Sequence, residues 1–129
     1  MTFQFDWYLQ DRILLVKSPA SYSQDDIDQL DSQLLHVLDH SEANLIHVIY
    51  DESEAVSTPN VNAWNGMQAP KHPQYGWVID VGMNAQVGFV YTLISKIFRI
   101  RHRKFDTVNE AVKFLQTVDA TLPDFSLRS

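Results

Sequence analysis

Two histidines in this chain are spaced for metal binding, but the sequence offers them no third ligand. His36 and His40 are four residues apart, so a helix would place both imidazoles on one face, where they could ligate zinc. The chain has no cysteine, and a zinc site needs at least three protein ligands. Histidine also suits the last turn of a helix, where the helix dipole favours positive charge. We therefore expect a solvated helix end and no metal site.

Two further histidines lie in surroundings that argue against catalysis. His47 interrupts an apolar run, and we expect it to be a hydrogen-bonded residue of the core or of a sheet edge. His102 lies between Arg101 and Arg103, whose charges oppose protonation of the imidazole. His102 is therefore a poor candidate for a general base.

Carboxylates and hydroxyls meet in one loop after an apolar strand. Asp51, Glu52 and Glu54 follow that strand, and in open α/β sheets ligands bind beyond the carboxyl ends of the strands. Such a cluster could hold a divalent cation, but no D-x-D-x-D-G loop is present, so we expect a solvated acidic turn. Ser53 and Ser57 in the same loop are candidates for phosphorylation. Neither lies in a G-x-S-x-G motif, so the sequence does not indicate a hydrolase nucleophile.

Nothing else in the sequence has the local geometry of an active site. No nucleophile is paired with a base, and no glycine-rich phosphate-binding loop occurs. We therefore expect no catalytic residues and no cofactor, and we rank enzyme activity third among the functional hypotheses. The net charge of −6 opposes nonspecific nucleic-acid binding, which depends on neutralising phosphates.

Length and composition predict one compact cytoplasmic domain. The 129 residues, 45% of them hydrophobic, suit a single core. The start of the sequence lacks a basic segment followed by an apolar one, which argues against a secretory signal. The longest apolar region, 78–98, is interrupted by polar residues, so we predict no membrane span.

The elements that must position these residues follow from periodicity and capping signals. The pattern predicts the order β-β-α-β-(irregular)-β-α-β-α, which favours a single α/β domain with a four- or five-stranded mixed sheet and helices packed on it. Ser23 with Asp26, and Thr107 with Glu110, are capping boxes that open two of the helices. The predicted strands are 3–9, 13–17, 45–50, 77–81 and 99–105, the predicted helices are 24–40, 84–97 and 107–118, and a loosely held tail starts at about 122.

The predicted helix 84–97 is apolar on more than one face. Lys96 is its only charge, and a helix that is apolar all round must be buried by something. Three coverings are open: a second copy of the chain, the chain's own core, or a lipid surface. We take Val90, Tyr91, Ile94, Ile97 and Phe98 as the apolar contact residues, and Arg99, Arg101 and Arg103 after them as an anionic contact.

Charge asymmetry is compatible with self-association. Residues 1–54 carry eleven acidic and two basic side chains, giving −9, and residues 55–129 carry five acidic and eight basic ones, giving +3. The acidic part of one subunit could therefore face the basic part of another. For the charge asymmetry itself we favour two solvated faces, and it is the apolar helix 84–97 that leads us to expect a homodimer.

The irregular segment 64–77 places large apolar side chains between prolines. Trp64, Met67 and Trp77 could cover the sheet as part of the core, or could wall a ligand pocket or partner groove. An alternative function follows, in which a lipid-like hydrophobic ligand is held between the helix 84–97 and this loop.

Several motifs together resemble the STAS domain, the fold of anti-sigma-factor antagonists, and its lipid-binding SEC14-like relatives. They are the paired N-terminal strands, the helix opening Ser-Tyr-Ser-Gln-Asp-Asp-Ile, the strand Leu-Ile-His-Val-Ile-Tyr-Asp, the segment Gly-Trp-Val-Ile-Asp-Val-Gly, and an ending similar to F-x-T-x-x-E-A-x-x-x-L at 105–115. The resemblance implies a STAS-like fold and a non-enzymatic regulatory module that binds a protein partner or, less often, a hydrophobic ligand. It also places a phosphorylated serine after the central strand, near Ser53 or Ser57, although the Asp-Ser-Ser-Gly pattern of such sites is absent here.

Overall fold

The computed structural model describes residues 3–57, 61–64 and 66–123, and its elements follow the predicted order. The strands are β1 (Gln4–Leu9), β2 (Ile13–Lys17), β3 (Ile46–Asp51), β4 (Tyr75–Val81) and β5 (His102–Phe105). The helices are α1 (Gln24–Asp39), α2 (Ala85–Phe98) and α3 (Val108–Val118), and two short 3-10 turns, Val61–Trp64 and Ala69–Lys71, precede β4.

The five strands form one mixed sheet in sequential order, which confirms the predicted α/β class. β1 pairs with β2 in an antiparallel hairpin, and β2 through β5 run parallel to one another. Each parallel pair requires a crossover, and α1, the irregular segment and α2 supply these connections.

Alternating strand residues divide the core into two faces, because successive side chains point to opposite sides of a strand. One face, which we call the α1/α2 face, is covered by α1, α2 and the two 3-10 turns. The other, the α3 face, is covered by α3. Representative strand residues are Leu14, Val16, Val48, Tyr50 and Val78 on the α1/α2 face, and Ile13, Ile49, Ile79 and Val81 on the α3 face.

The capping signals act as the sequence predicts. The Ser23 side chain accepts a hydrogen bond from the Asp26 amide, and the Asp26 carboxylate accepts one from the Ser23 amide at 2.9 Å. Thr107 accepts a hydrogen bond from the Glu110 amide at 3.2 Å. These bonds satisfy amides that the first turn of a helix leaves without partners.

The last strand is shorter than predicted. Alternation of basic and apolar residues predicted strand 99–105, but β5 begins only at His102. Arg99 instead ends α2 in the left-handed conformation, with φ 55° and ψ 37°, and its amide donates to the Ser95 carbonyl. A left-handed residue at this position terminates a helix, so the chain must turn before it can pair with β4.

The predicted tail begins inside the core. Leu122 is 8% exposed and packs with the apolar residues of the α3 face. The remaining tail residues, 124–129, lie outside the described part of the chain.

Candidate functional site

A cavity of about 40 Å³ lies on the α1/α2 face, between α2, the 3-10 turns and the strands β4 and β5. By the ~10–15 Å³ that one water molecule needs, it has room for about three waters or for a compact organic group. We call it the α2 cavity. Its lining residues are Tyr50, Trp64, Met67, Pro70, Tyr75, Val78, Asp80, Tyr91, Ile94, Phe98, Ile100 and His102.

The cavity wall contains a buried acid paired with a histidine. Asp80 on β4 has a side chain only 2% exposed, and its Oδ2 is hydrogen-bonded to Nε2 of His102 on β5. Burial raises the pKa of Asp80, and the hydrogen bond from His102 opposes that rise. The sequence neighbourhood of His102 shows only arginines, so periodicity could not reveal that its partner is an acid from the adjacent strand.

Glu52 corrects the prediction of a solvated acidic turn. Its side chain is fully buried, because its amide donates to the Val81 carbonyl at 2.8 Å and holds the residue against the end of β4. Neither carboxylate oxygen has a hydrogen-bond partner among the described residues. Burial, reinforced by the nearby charge of Asp80, raises the pKa of Glu52 to about 8. Ser18 and Tyr91 lie close enough to oppose this rise, although neither reaches hydrogen-bond geometry with Glu52.

Three other side chains of that loop, Ser53, Glu54 and Ser57, are exposed. Glu54 forms an ion pair with Lys17 at 3.0 Å, and Ser53 and Ser57 are accessible. The Ser53 amide donates to the Asp51 carboxylate at 3.0 Å. Phosphorylation of Ser53 or Ser57 stays a prediction.

Tyrosine hydroxyls join the buried polar groups around the α2 cavity. The hydroxyls of Tyr22 and Tyr91 form a hydrogen bond, and those of Tyr50 and Tyr75 lie 3.5 Å apart. Burial raises the pKa of Tyr75 well above its ordinary value, so the phenol does not ionise under physiological conditions. These hydroxyls are therefore neutral hydrogen-bonding groups.

The predicted contact residues of α2 separate into an inner and an outer set. Tyr91 and Ile94 are buried against the chain's own sheet, whereas Ile97 is 55% exposed. Val90 and Phe98 are half-buried. The largest exposed apolar side chain of the helix, Phe89 at 67%, was absent from the predicted contact set.

Arg103 does not extend the outer face of α2. The Arg103 guanidinium lies over the ring of Phe114 on α3, 5.6 Å from its centroid, and α3 covers the opposite face of the sheet. Arg99 lies at the end of α2 and Arg101 before β5, and both are exposed. Trp77 also belongs to the α3 face, where its ring meets Phe114 edge-on at 5.0 Å.

His47 is the hydrogen-bonded core residue that the sequence predicts. Its side chain is fully buried, with Nε2 2.8 Å from the Asp119 carboxylate and Nδ1 accepting from the Trp77 amide at 3.0 Å. Burial lowers the pKa of His47, although the hydrogen bond to Asp119 opposes the change.

His36 and His40 pack their rings against each other, with centroids 4.1 Å apart. Across residues 3–57, 61–64 and 66–123, no three acidic or histidine side chains come together as a metal site would require. Within the same ranges, no helix has the length and apolarity needed to cross a bilayer.

Comparisons with known proteins show the fold. No protein-family profile matches the chain, and no curated protein is significantly similar to it in sequence. The structure is similar to the anti-sigma factor antagonist SpoIIAA in its unphosphorylated form, with a TM-score of 0.65, 11% identity, and coverage of 92% of this chain and 99% of that one.

Two further solved structures share this architecture. An uncharacterised protein of the DUF3478 family with a SpoIIAA-like fold, from Shewanella loihica PV-4, has a TM-score of 0.64, 16% identity, and coverage of 88% and 92% of the two chains. SpoIIAA from Bacillus in its phosphorylated form has a TM-score of 0.57, 11% identity, and coverage of 88% and 99%. The predicted STAS-like fold is thereby confirmed.

Proposed function

We propose that this chain is a non-enzymatic protein-interaction module that forms a homodimer through the outer face of α2. The observation that carries the proposal is the exposure of Phe89 and Ile97, at 67% and 55% of their surfaces. Both lie on a helix whose opposite side, with Val87 and Ile94, already fills the core. Exposed apolar side chains grouped on one element are typical of interaction sites.

The spacing of the outer residues supports a continuous contact stripe. Phe89, Leu93 and Ile97 follow one another at intervals of four, which places them on one helical face. Val90 and Leu93 are half-buried and fill the stripe between the exposed ends. Such a stripe can pack against an identical helix by a twofold axis, because the same residues meet on both sides.

Charge supports a second copy of the chain as the occupant. α1 lies on the same sheet face as α2 and carries exposed acids, including Asp25 and Asp28. Lys96 and Arg99 lie at the basic end of α2 and are exposed. A twofold-related copy can therefore present acidic side chains of its α1 to this basic end, which adds complementarity to the apolar contact.

The fold agrees with a binding role. SpoIIAA, which has this architecture, is an anti-sigma factor antagonist, and a protein of that kind acts by contacting other proteins. As a regulatory module, the chain would bind an unidentified protein partner in the cytoplasm. It would bind that partner either as the dimer or as a monomer that exchanges its second copy for the partner.

The alternative function, carriage of a lipid-like ligand, is supported by the position of the α2 cavity between α2 and the 64–77 segment. The cavity volume of about 40 Å³ is far below what an acyl chain occupies, because a chain has many methylene groups and three waters already fill this space. We therefore rank a lipid carrier behind the dimeric module.

Light scattering across a concentration series tests the dimer. The natural chain is expected to move from the monomer mass of 14.9 kDa toward twice that mass as concentration rises. Replacing both Phe89 and Ile97 by Glu should hold the protein at the monomer mass. Val56→Glu is the matched control, since Val56 is 67% exposed but does not lie on α2, and it should leave the dimer intact. A natural chain that stays monomeric at high concentration would end the proposal.

A further inference from the structure

The α2 cavity has a wall composition that the interaction surface does not use. Five aromatic side chains line it, together with one buried carboxylate. The aromatic residues are Tyr50, Trp64, Tyr75, Tyr91 and Phe98. Aromatic rings attract cations through the negative potential of their faces, most strongly where water is excluded.

One carboxylate lies in the cavity wall, and a second lies close to it. Asp80 lies in the wall with a side chain 2% exposed, and Glu52 is fully buried next to Tyr91. Burial, and to a smaller extent the nearby charge of Asp80, raises the pKa of Tyr50, Tyr75 and Tyr91 in the wall. Among the described lining residues, Asp80 is the single carboxylate and His102 the single imidazole, whereas the raised pKa of Glu52, about 8, leaves that acid mostly neutral at pH 7.

Two buried polar groups near the cavity also lack partners. The indole Nε1 of Trp64, a wall residue 4% exposed, has no hydrogen-bond acceptor among the described residues. The same holds for both carboxylate oxygens of Glu52. Leaving such groups unsatisfied costs stability, and an oxygen on a bound molecule would compensate Trp64, which lines the cavity, whereas Glu52 lies outside the lining.

We infer that the α2 cavity binds a small free organic ammonium ion, whose charged head lies among the aromatic rings and next to Asp80. The volume of about 40 Å³ fits a compact head such as trimethylammonium. Three of the lining residues, Pro70, Phe98 and Ile100, are half-buried and therefore reach the protein surface. Any oxygen on the ligand is then available to accept a hydrogen bond from Trp64.

Isothermal titration calorimetry with choline and with 3,3-dimethylbutan-1-ol, its uncharged isostere, tests directly whether binding requires the positive charge. The two molecules have the same shape, so a difference in affinity reports the cation alone. Choline is expected to bind at least about tenfold more tightly, as one strong cation–aromatic interaction supplies that ratio. Equal affinity for the two, or no heat with either at millimolar concentration, would overturn the inference.

Variants locate the site. Asp80→Asn should weaken choline binding by about tenfold, and Glu54→Gln, at an exposed acid outside the cavity, should leave it unchanged. Tryptophan fluorescence should change on titration in the natural chain and in Trp77→Phe but not in Trp64→Phe, because only Trp64 lines the cavity. If Asp80→Asn fails to fold, the isostere comparison and the two tryptophan variants still decide whether the cation binds in the α2 cavity.

Phosphatidylcholine vesicles provide the last comparison in the binding experiment, because they present the same head group at a membrane surface. Binding to free choline with no vesicle binding supports a free ligand. Co-sedimentation with vesicles and no response to free choline would contradict the inference and assign the site to a lipid head group.

Discussion

The molecule contains two histidine–aspartate pairs, one on each face of the sheet. On the α3 face, His47 pairs with Asp119 at 2.8 Å and also accepts from the Trp77 amide. Because an amide can only donate, Nδ1 of His47 must be the acceptor and Nε2 must carry the proton. On the α1/α2 face, His102 pairs with Asp80 beside a cavity.

The comparison shows how the surroundings decide the role of the same two residue types. Both nitrogens of His47 are engaged, and Asp119 also binds Arg12 at 3.2 Å, so the pair itself is satisfied, while the Arg12 Nε beside it has no partner among the described residues. The α1/α2 face keeps unsatisfied groups, on Glu52 and Trp64, and an open space. Uncompensated polarity inside a protein is costly and is concentrated at functional sites.

The largest loss of stability should come from removing His47 from its hydrogen-bonded pair with Asp119. His47→Leu leaves the Trp77 amide and the Asp119 carboxylate without their buried partner, and we expect a loss of about 3 kcal/mol in the free energy of unfolding. Urea denaturation monitored by circular dichroism measures it. His36→Leu, at an exposed histidine, should change stability by less than about 0.5 kcal/mol. A loss below about 1 kcal/mol for His47→Leu would show that the pair is not structural.

A gain is expected from removing the unsatisfied acid. The pKa of Glu52 is raised to about 8 in the folded chain from an ordinary 4.5, so its protonation favours folding below pH 4.5 and this contribution is lost as pH rises from 4.5 to 8. Glu52→Gln removes the penalty, because the amide is neutral throughout. We expect the variant to be more stable than the natural chain by about 2 kcal/mol at pH 8 and nearly equal to it at pH 4.

Thermal denaturation of both proteins at a series of pH values checks this sign. Glu54→Gln is the control, since the Glu54 side chain is 62% exposed, and its stability should follow that of the natural chain. A Glu52→Gln variant that loses stability at pH 8 would mean that the carboxylate has a partner in the folded protein.

The smallest expected effect is the loss of folding stability at acid pH that depends on Asp119, on the α3 face. Burial tends to raise the pKa of Asp119, but hydrogen bonds from Thr121 and His47 outweigh it and lower that pKa to about 2. The stabilisation is therefore complete above pH 3.8 and is lost as pH falls through 2. Asp119→Asn should cost about 1 kcal/mol at neutral pH.

The difference between the Asp119→Asn variant and the natural chain should disappear near pH 2. His47 adds to the acid sensitivity of both proteins, since its lowered pKa means that stability decreases as pH falls below 6.5. Chemical denaturation at pH 7, 4 and 2 measures the two curves. A gap that persists at pH 2 would argue against ionised Asp119 as its source.

Most of the fold could be predicted from local patterns. The apolar stripe Ile27, Leu30, Leu34 and Leu38 predicts α1, and all four side chains are buried. Capping boxes at Ser23 and Thr107 predict where two helices begin, because their hydrogen bonds involve residues only three apart. The alternation of basic and apolar residues at 99–101 predicted strand, and this prediction was wrong. The left-handed Arg99 ends α2 there, and no local pattern indicates that conformation.

The candidate site was less accessible to prediction, because its contacts join distant parts of the chain. The sequence placed Trp64, Met67, Ile94 and Phe98 in one contact set, and all four line the α2 cavity. It grouped Arg103 with them, whereas strand alternation turns that side chain to the α3 face. It also treated Glu52 as solvated, since burial of a loop acid depends on what packs around it.

The amino-acid sequence by itself determined the order of the elements, the starts of α1 and α3 and the apolar character of α2, because hydrophobic period and capping act over a few residues. Only the tertiary structure decided which side of α2 stays exposed, which acid meets His102, and that Glu52 is enclosed with no hydrogen-bond partner among the described residues. Those outcomes depend on strand register and on crossovers that bring together residues 20 or more positions apart, as His102 and Asp80 are, and no short-range pattern encodes such distances.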